Sequence, residues 1–274
     1  RVSGKSLPSH SIDRALREFL PGNRIMINGL SYVSKGVSLQ SSRGEKNVTG
    51  IIQRCRNCGH QRYLKDHEHI NTPCQHCESV DFKGIKQGRF SEIIQPSGFA
   101  TDLYDTPKRG LEKGHYNAPT EPILVNISPW PKKQHVSYFI RTSQNEDEAR
   151  IVFYANSTFD ICLECGRSLT EKELKDGHKR LRGGKNESGS VQCSGGSVKT
   201  DTYLGATVKT DFVEIRLLNN DSSYSTSLEL ARSIGVILTR ALTQYLGIEE
   251  SEVAYGVKRY KTFTTLFLYD TARG

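Results

Sequence analysis

Cysteines are the residues of this 274-residue chain best suited to chemistry, and six of the seven stand in pairs spaced by two residues. Cys55-Arg-Asn-Cys58 and Cys74-Gln-His-Cys77 lie fifteen residues apart, with basic and histidine-rich sequence between them. A CxxC turn aims two thiolates at one point, and two such turns supply the four soft ligands that Zn²⁺ takes in a tetrahedron. Gly59 after the first pair permits the tight turn. A shell of four cysteines leaves no position for water, so the expected metal is structural and non-catalytic. His60, His67, His69 and His76 are then read as surface residues.

The third pair, Cys162-Leu-Glu-Cys165, is followed by Gly166 and, further on, by Cys193. His178 lies between them and is the preferred fourth ligand, giving a site of Cys162, Cys165, His178 and Cys193. His115 or His135 in the fourth position, or a free Cys193, are the alternatives. Three cysteines and a water would make a catalytic zinc. Deaminase chemistry of that kind needs a Glu two residues past the ligand histidine, and Lys179 and Arg180 follow His178 instead. Other catalytic patterns are weaker. Ser3-Gly-Lys-Ser6 lacks the glycine-rich turn of a phosphate-binding loop. Asp211, Glu214 and Arg216 on one strand faintly match a metal-dependent nuclease, but alternation on a half-exposed strand explains them more cheaply. No catalytic site stands out.

The elements that must position these residues are mostly strands. A short helix is expected over "IDRALREFL", capped by Ser11 and stopped by Pro21-Gly22. Asn28-Gly29 between two β-favouring runs signals a hairpin. "NVTGIIQR" leads as a strand into Cys55, and "SVDFKGI" and "FSEIIQP" follow Cys77 as strands. Three further β runs, "PILVNI", "HVSYFIR" and "ARIVFYANSTFDIC", end on the third cysteine pair. The polar tract from Thr170 to Gly196 reads as mostly irregular, and "GATVKTDFVEIRLL" as one strand. A long helix spans about Ser227 to Leu246, with Thr226 and Glu229 as a capping box and Gly247 as its left-handed stop. Its apolar stripe is Leu228, Ala231, Ile234, Leu238, Leu242 and Tyr245. "TFTTLFLYD" is a buried closing strand. The class is α+β, mostly antiparallel, with an inserted zinc ribbon and a second zinc-binding knuckle.

Hydrophobic residues make up 35% of the chain, no stretch is long and apolar enough for a membrane span, and the opening residues carry no apolar signal core. With paired rather than disulfide-spaced cysteines, this places the expected protein in the cytoplasm, away from membranes. The formal net charge is +8. Residues 1–60 hold ten Lys/Arg against three acids, a local +7, while the remaining 28 basic and 27 acidic residues nearly cancel. Such one-sided charge is what a polyanion binder displays. Arg14, Arg17, Arg24, Lys35, Arg43, Lys46, Arg54 and Arg56 are the candidate phosphate contacts there. Lys179, Arg180, Arg182 and Lys185, in a glycine-rich loop beside the second metal site, are the others.

Taken in order, "REFLPGNRIMINGLSYVSKGV", "FDICLECGRSL" with its later His and Cys, "LGATVKTDFVEIRL", the capped helix and "LFLYDTARG" resemble the MrfA-type zinc-binding domain family. That family accompanies superfamily-two DNA helicases and DISARM-type phage-defence proteins. The resemblance implies Cys162, Cys165 and Cys193 as metal ligands, and a domain that packs on a helicase motor and supports DNA binding. It makes the Cys55–Cys77 ribbon an additional module. No motor motif occurs in this chain, so ATP hydrolysis is expected elsewhere in the polypeptide or in a partner. The expected organisation is a basic β-rich region over 1–100 with a ribbon at about 50–82, a linker over 101–120, and an α+β domain over 121–274. Two structural Zn²⁺ ions, DNA and helicase motor domains are the expected cofactor and partners. A protein–protein scaffold in a defence complex is the alternative.

Overall fold

The computed structural model describes residues 12–39, 49–85, 88–102, 105–109, 122–125, 130, 138–142, 150–181, 190–219, 221 and 223–271. In chain order these form α1 (Ile12–Glu18), β1 (Arg24–Ile27), β2 (Leu30–Ser38), β3 (Thr49–Cys55), β4 (Gln61–Leu64) and β5 (Phe82–Lys83). Next come β6 (Ser91–Ile94), β7 (Gly98–Thr101), β8 (Lys108–Arg109), β9 (Ile123–Val125), β10 (Tyr138–Thr142) and β11 (Arg150–Cys162). The chain continues through α2 (Glu171–Asp176), β12 (Val198–Lys209), β13 (Phe212–Leu217), α3 (Leu228–Leu246), β14 (Val253–Arg259) and β15 (Thr264–Asp270). The fold is α+β and strand-rich.

These elements group into two units that interleave along the chain. The first comprises Arg1–Thr49, Glu92–Thr120 and Phe153–Ala206; the second comprises Gly50–Ser91, Glu121–Val152 and Thr207–Gly274. The sequence-based boundaries run in order along the chain, and most of the expected 101–120 linker lies outside the described residues, as does Ser11.

In the first unit, α1 buries Ala15 and Leu16 and sets Arg14 against Glu18 one turn on, at 2.7 Å. Gly22, at φ 94°, ends the segment after Pro21. Asn28 and Gly29 take φ values of 52° and 77°, the paired left-handed conformation of a two-residue hairpin turn, and Ile27 stands opposite Leu30 across it. The strand β2 continues antiparallel to β7 with a bulge between Ser34 and Gly36. Deeper in the unit, β6 and β12 pair in parallel, Tyr203 beside Ile93 and Leu204 beside Ile94. Leu16, Leu20, Ile94, Ile161, Leu181 and Leu204 are among its fully buried side chains.

In the second unit, β3 pairs antiparallel with β4 and β5, so the residues that flank the first cysteine cluster are held by one strand. A four-stranded antiparallel sheet runs β10-β13-β15-β14. Helix α3 packs on it, with Ala231, Ile234, Leu238 and Leu242 against Ile215, Leu217, Tyr255, Val257, Leu266 and Leu268.

Several local expectations are corrected. The run "GATVKTDFVEIRLL" is two strands, because the pairing breaks at Thr210-Asp211, where the Thr210 hydroxyl donates to the Asp270 carbonyl at 2.6 Å. Ser227, not Thr226, caps α3, accepting from the Leu230 N–H at 3.1 Å. Ser225 and Thr226 are held to Thr264 by backbone and side-chain hydrogen bonds, which delays the helix by a residue. The packed stripe of α3 ends at Leu242; Tyr245 lies beyond it and is 87% exposed. The polar tract after Leu169 contains α2, which Thr170 and Glu173 cap reciprocally. The strand expected over "SVDFKGI" shrinks to Phe82–Lys83.

Candidate metal centres

The first cluster is built by two chain reversals. Gly59 N–H donates to the Cys55 carbonyl at 3.0 Å, and Glu78 N–H to the Cys74 carbonyl at 2.8 Å, which curls each CxxC around its own thiols. Gly59 at φ 82° completes the first turn. Across the cluster, Cys55 Sγ and Cys77 Sγ are 3.6 Å apart and Cys58 Sγ and Cys74 Sγ are 3.7 Å apart. A tetrahedral Zn²⁺ with Zn–S near 2.3 Å sets its sulfurs at about 3.8 Å. The spacing therefore fits the ion closely and is far too long for a disulfide. The four sulfurs lie within 4.8 Å of one another.

The loop between the two turns has little apolar content, and Arg62 holds it. Its guanidinium donates to Gln53 Oε1 at 2.8 and 3.0 Å, to the Thr72 carbonyl at 3.0 Å and to the Ile70 carbonyl at 3.1 Å. The same group stacks over the Phe82 ring at 3.8 Å. The Cys58 carbonyl accepts from Lys261 N–H at 3.0 Å, which fastens the first turn to the β14–β15 connection. His60 is buried there, not a surface residue as its polarity suggests, because it stacks against Tyr260 with ring centroids 6.1 Å apart. Burial, reinforced by the nearby Lys258 ammonium, pushes its pKa down to about 2, so it stays a neutral spacer.

The second cluster brings together Cys162, Cys165, His178 and Cys193, again with all four donor atoms within 4.8 Å. Cys162 Sγ and Cys193 Sγ are 3.7 Å apart, and Cys165 Sγ and His178 Nε2 are 3.4 Å apart. The shorter sulfur–nitrogen edge matches a tetrahedron with one metal–nitrogen bond of about 2.0–2.1 Å. Hydrogen bonding from the Cys162 thiol, helped by backbone N–H groups and opposed by burial, holds the Cys165 pKa down to about 4. Thiolate, the form that ligates, is thus favoured at neutral pH.

The knuckle is pressed onto β2. Val37 N–H donates to the Gly166 carbonyl at 2.8 Å, and Ser168 N–H to the Lys35 carbonyl at 2.8 Å. At Gly36 an added Cβ would sit 2.2 Å from the Gly166 carbonyl oxygen. The His178 segment is held by Arg167, whose guanidinium donates to the Lys179 carbonyl at 2.9 Å and pairs with Glu173 at 3.2 Å and with Asp102. Glu164, inside the knuckle, accepts from Gly196 N–H at 3.1 Å and from the Ser194 hydroxyl, which ties down the loop carrying Cys193. Sequence reading missed Arg62, Arg167 and Glu164. Each is a lone charged residue beside a ligand, a signal visible only once the ligands are known.

Both groups can hold zinc, and both are closed by four protein donors. Asp211 and Glu214 do not join a metal group among the described residues: Asp211 is exposed, while Glu214 is fully buried, paired with Arg141 at 2.6 Å and accepting from the Thr265 hydroxyl at 2.7 Å. Of the expected phosphate contacts, Arg14, Arg17 and Lys179 are exposed in the first unit, where Arg24, Lys35 and Arg180 are half-buried. Arg54 is half-buried and Arg56 exposed in the second, Arg56 lying 3.4 Å from Asp81. Arg43, Lys46, Arg182 and Lys185 lie outside the described residues, as do His115 and His135. Among the described residues no helix is long and apolar enough to cross a membrane.

No protein-family model matches the sequence, and no solved structure does. The chain is similar to the Druantia protein DruE of Escherichia coli, at 23% identity over 311 aligned positions. The alignment takes in 97% of this chain and 16% of DruE, so the chain spans a small part of that relative's length.

Proposed function

We propose that this chain is a zinc-stabilised accessory region of a helicase-containing phage-defence protein, supporting DNA binding and docking on the motor. The observation that carries the reading is the pair of closed four-donor clusters in a chain whose similarity to DruE runs nearly end to end. DruE is a phage-defence protein. Closed shells stabilise shape and leave no site for a reacting ligand. The role that remains is to present surfaces.

Two surfaces suit that role. The basic excess that the sequence places in residues 1–60, and in Lys179, Arg180, Arg182 and Lys185 soon after His178, offers phosphate contacts. The outer side of α3 leaves Leu230, Ile237 and Tyr245 exposed at 45%, 64% and 87%, an apolar stripe suited to packing on a motor domain. The test is DNA binding by the purified chain at rising salt. Affinity should fall steeply, by at least tenfold between 50 and 200 mM for even a few phosphate contacts, with no ATPase activity. Salt-independent binding, or none, removes the DNA contact and leaves a scaffold that holds partner proteins through α3.

A further inference from the structure

The second unit contains a buried guanidinium whose best binding edge is unused. Arg216, on β13, is 7% exposed. Its guanidinium carbon lies 4.0 Å from the Phe263 ring centroid, 4.2 Å from that of Trp130 and 4.8 Å from that of Tyr224. Nε and Nη2, the two parallel donors of the side-on fork, have no hydrogen-bond partner among the described residues. That fork matches two oxygens of one planar or tetrahedral anion.

The neighbouring charges leave it uncompensated. Glu214 is the carboxylate in reach, and it is committed to Arg141 through contacts of 2.7 and 2.6 Å and to the Thr265 hydroxyl at 2.7 Å. Arg141 shares the Trp130 ring at 4.3 Å, but its own fork is spent on Glu214. The Lys258 ammonium is turned to the Leu124 carbonyl at 3.1 Å. A buried cation without an anion is a costly arrangement, and aromatic faces offset only part of it. The Tyr224 side chain hydrogen-bonds the guanidinium but brings no charge, so the fork still lacks an anion.

We propose that Arg216 anchors a nucleotide-binding site, with a phosphate group on its fork and the base stacked on the aromatic wall. Phosphate supplies the two oxygens and the charge. Trp130 is half-buried and Tyr224 is 41% exposed, so flat aromatic surface continues from the buried fork outwards, as stacked bases require. Tyr224 follows β13 in the chain and forms the outer wall over Arg216, its ring centroid 4.8 Å from the guanidinium carbon. This proposal does not depend on the DNA-binding reading.

Trp130 is the only tryptophan of the chain, so its emission reports this site alone. The purified chain is titrated with thymidine monophosphate, thymidine, a single-stranded oligothymidylate, and sodium acetate at matched ionic strength. The expected result is a saturable change with the monophosphate or the oligonucleotide, at least tenfold weaker for thymidine and for acetate. Which of the two phosphate ligands responds identifies the source, a free nucleotide or a strand. Arg216→Lys keeps the charge but loses the fork, and should weaken the response at least tenfold. Tyr224→Leu removes the outer aromatic wall, which touches Phe139 and Phe263, and should weaken the monophosphate and shift its saturation, with circular dichroism checking that the variant folds. The proposal is overturned if Arg216→Lys and Tyr224→Leu both respond as the parent does, or if acetate matches the phosphate ligands. It is also overturned if DNA binds in a salt-dependent way while neither the oligonucleotide nor the monophosphate changes the Trp130 emission, a result that leaves the surface contacts standing.

Discussion

Gly166 should be far less replaceable than Gly59, although both follow a CxxC pair and both have positive φ, 77° and 82°. The left-handed conformation costs a Cβ-bearing residue about 1–2 kcal/mol. At Gly59 little is added, since a Cβ would meet nothing nearer than 3.4 Å, an ordinary contact with the Arg259–Lys261 backbone. At Gly166 the new Cβ would lie 2.0 Å from the Val37 carbonyl oxygen. Neither group is a movable side chain, so the knuckle must lift from β2. That movement strains the packing by roughly 1–3 kcal/mol and weakens the hydrogen bonds of Val37 and Ser168, each contributing about 1 kcal/mol. Gly166→Ala should therefore cost roughly 3–5 kcal/mol and Gly59→Ala roughly 1–2 kcal/mol. Thermal unfolding followed by circular dichroism reads the difference, and elemental analysis should show the second zinc selectively depleted in Gly166→Ala. Recovery of Gly59→Ala in soluble form where Gly166→Ala aggregates counts the same way. Equal losses in the two variants refute the reasoning, because the close approach to Val37 would then carry no weight.

Elemental analysis of the parent chain should find two zinc ions, and Cys58→Ser or Cys193→Ser should each reduce the count towards one. Arg167→Ala removes a buried guanidinium that pairs with Asp102 and Glu173 and donates to the Lys179 carbonyl, and should cost roughly 3–5 kcal/mol, measured by urea unfolding; a loss under 1 kcal/mol contradicts the assigned role. Burial pushes the Lys258 pKa from 10.5 down to about 8. The unfolded chain keeps that proton up to about pH 10.5, so the penalty is complete below pH 8 and is relieved as pH rises between the two values. It amounts to roughly 3 kcal/mol. Denaturant titrations at pH 7.5 and 10 should show the parent gaining stability relative to Lys258→Met over that interval, and a constant difference between the two contradicts the burial argument.

Chemistry was more legible in the sequence than architecture. The CxxC spacings point at the first four ligands outright, because two-residue spacing has few other uses. Choosing His178 needed only the observation that a fourth donor was missing between Cys165 and Cys193. The Asn28-Gly29 turn was equally readable, since few other pairs accept two left-handed residues. What stayed hidden depends on distant partners. His60 looks like a surface residue until Tyr260, two hundred positions away, is placed beside it. Glu214 looks like half of an acidic pair until Arg141 and Thr265 close around it. The start of α3 moved by one residue because Thr264 holds Ser225 and Thr226 extended. Local propensity cannot register a tether of that kind.

The two clusters also differ in what they fasten, and this bears on why one chain would carry both. In the second unit the Cys58 turn grips the β14–β15 connection through Lys261, next to Tyr260 and Phe263, whose rings are stacked 4.1 Å apart. Phe263 is also a wall of the Arg216 site. In the first unit the Cys165 knuckle grips β2, and the His178 segment leads directly into the basic residues Lys179 and Arg180. Each four-donor cluster therefore sits one element away from a surface or cleft proposed to take phosphate. Leu181, fully buried three residues past His178, adds apolar burial to that segment, but the CxxC turns themselves contain little. Thiolate–metal bonds at these clusters would stand in for a core in polar turns that have little of their own.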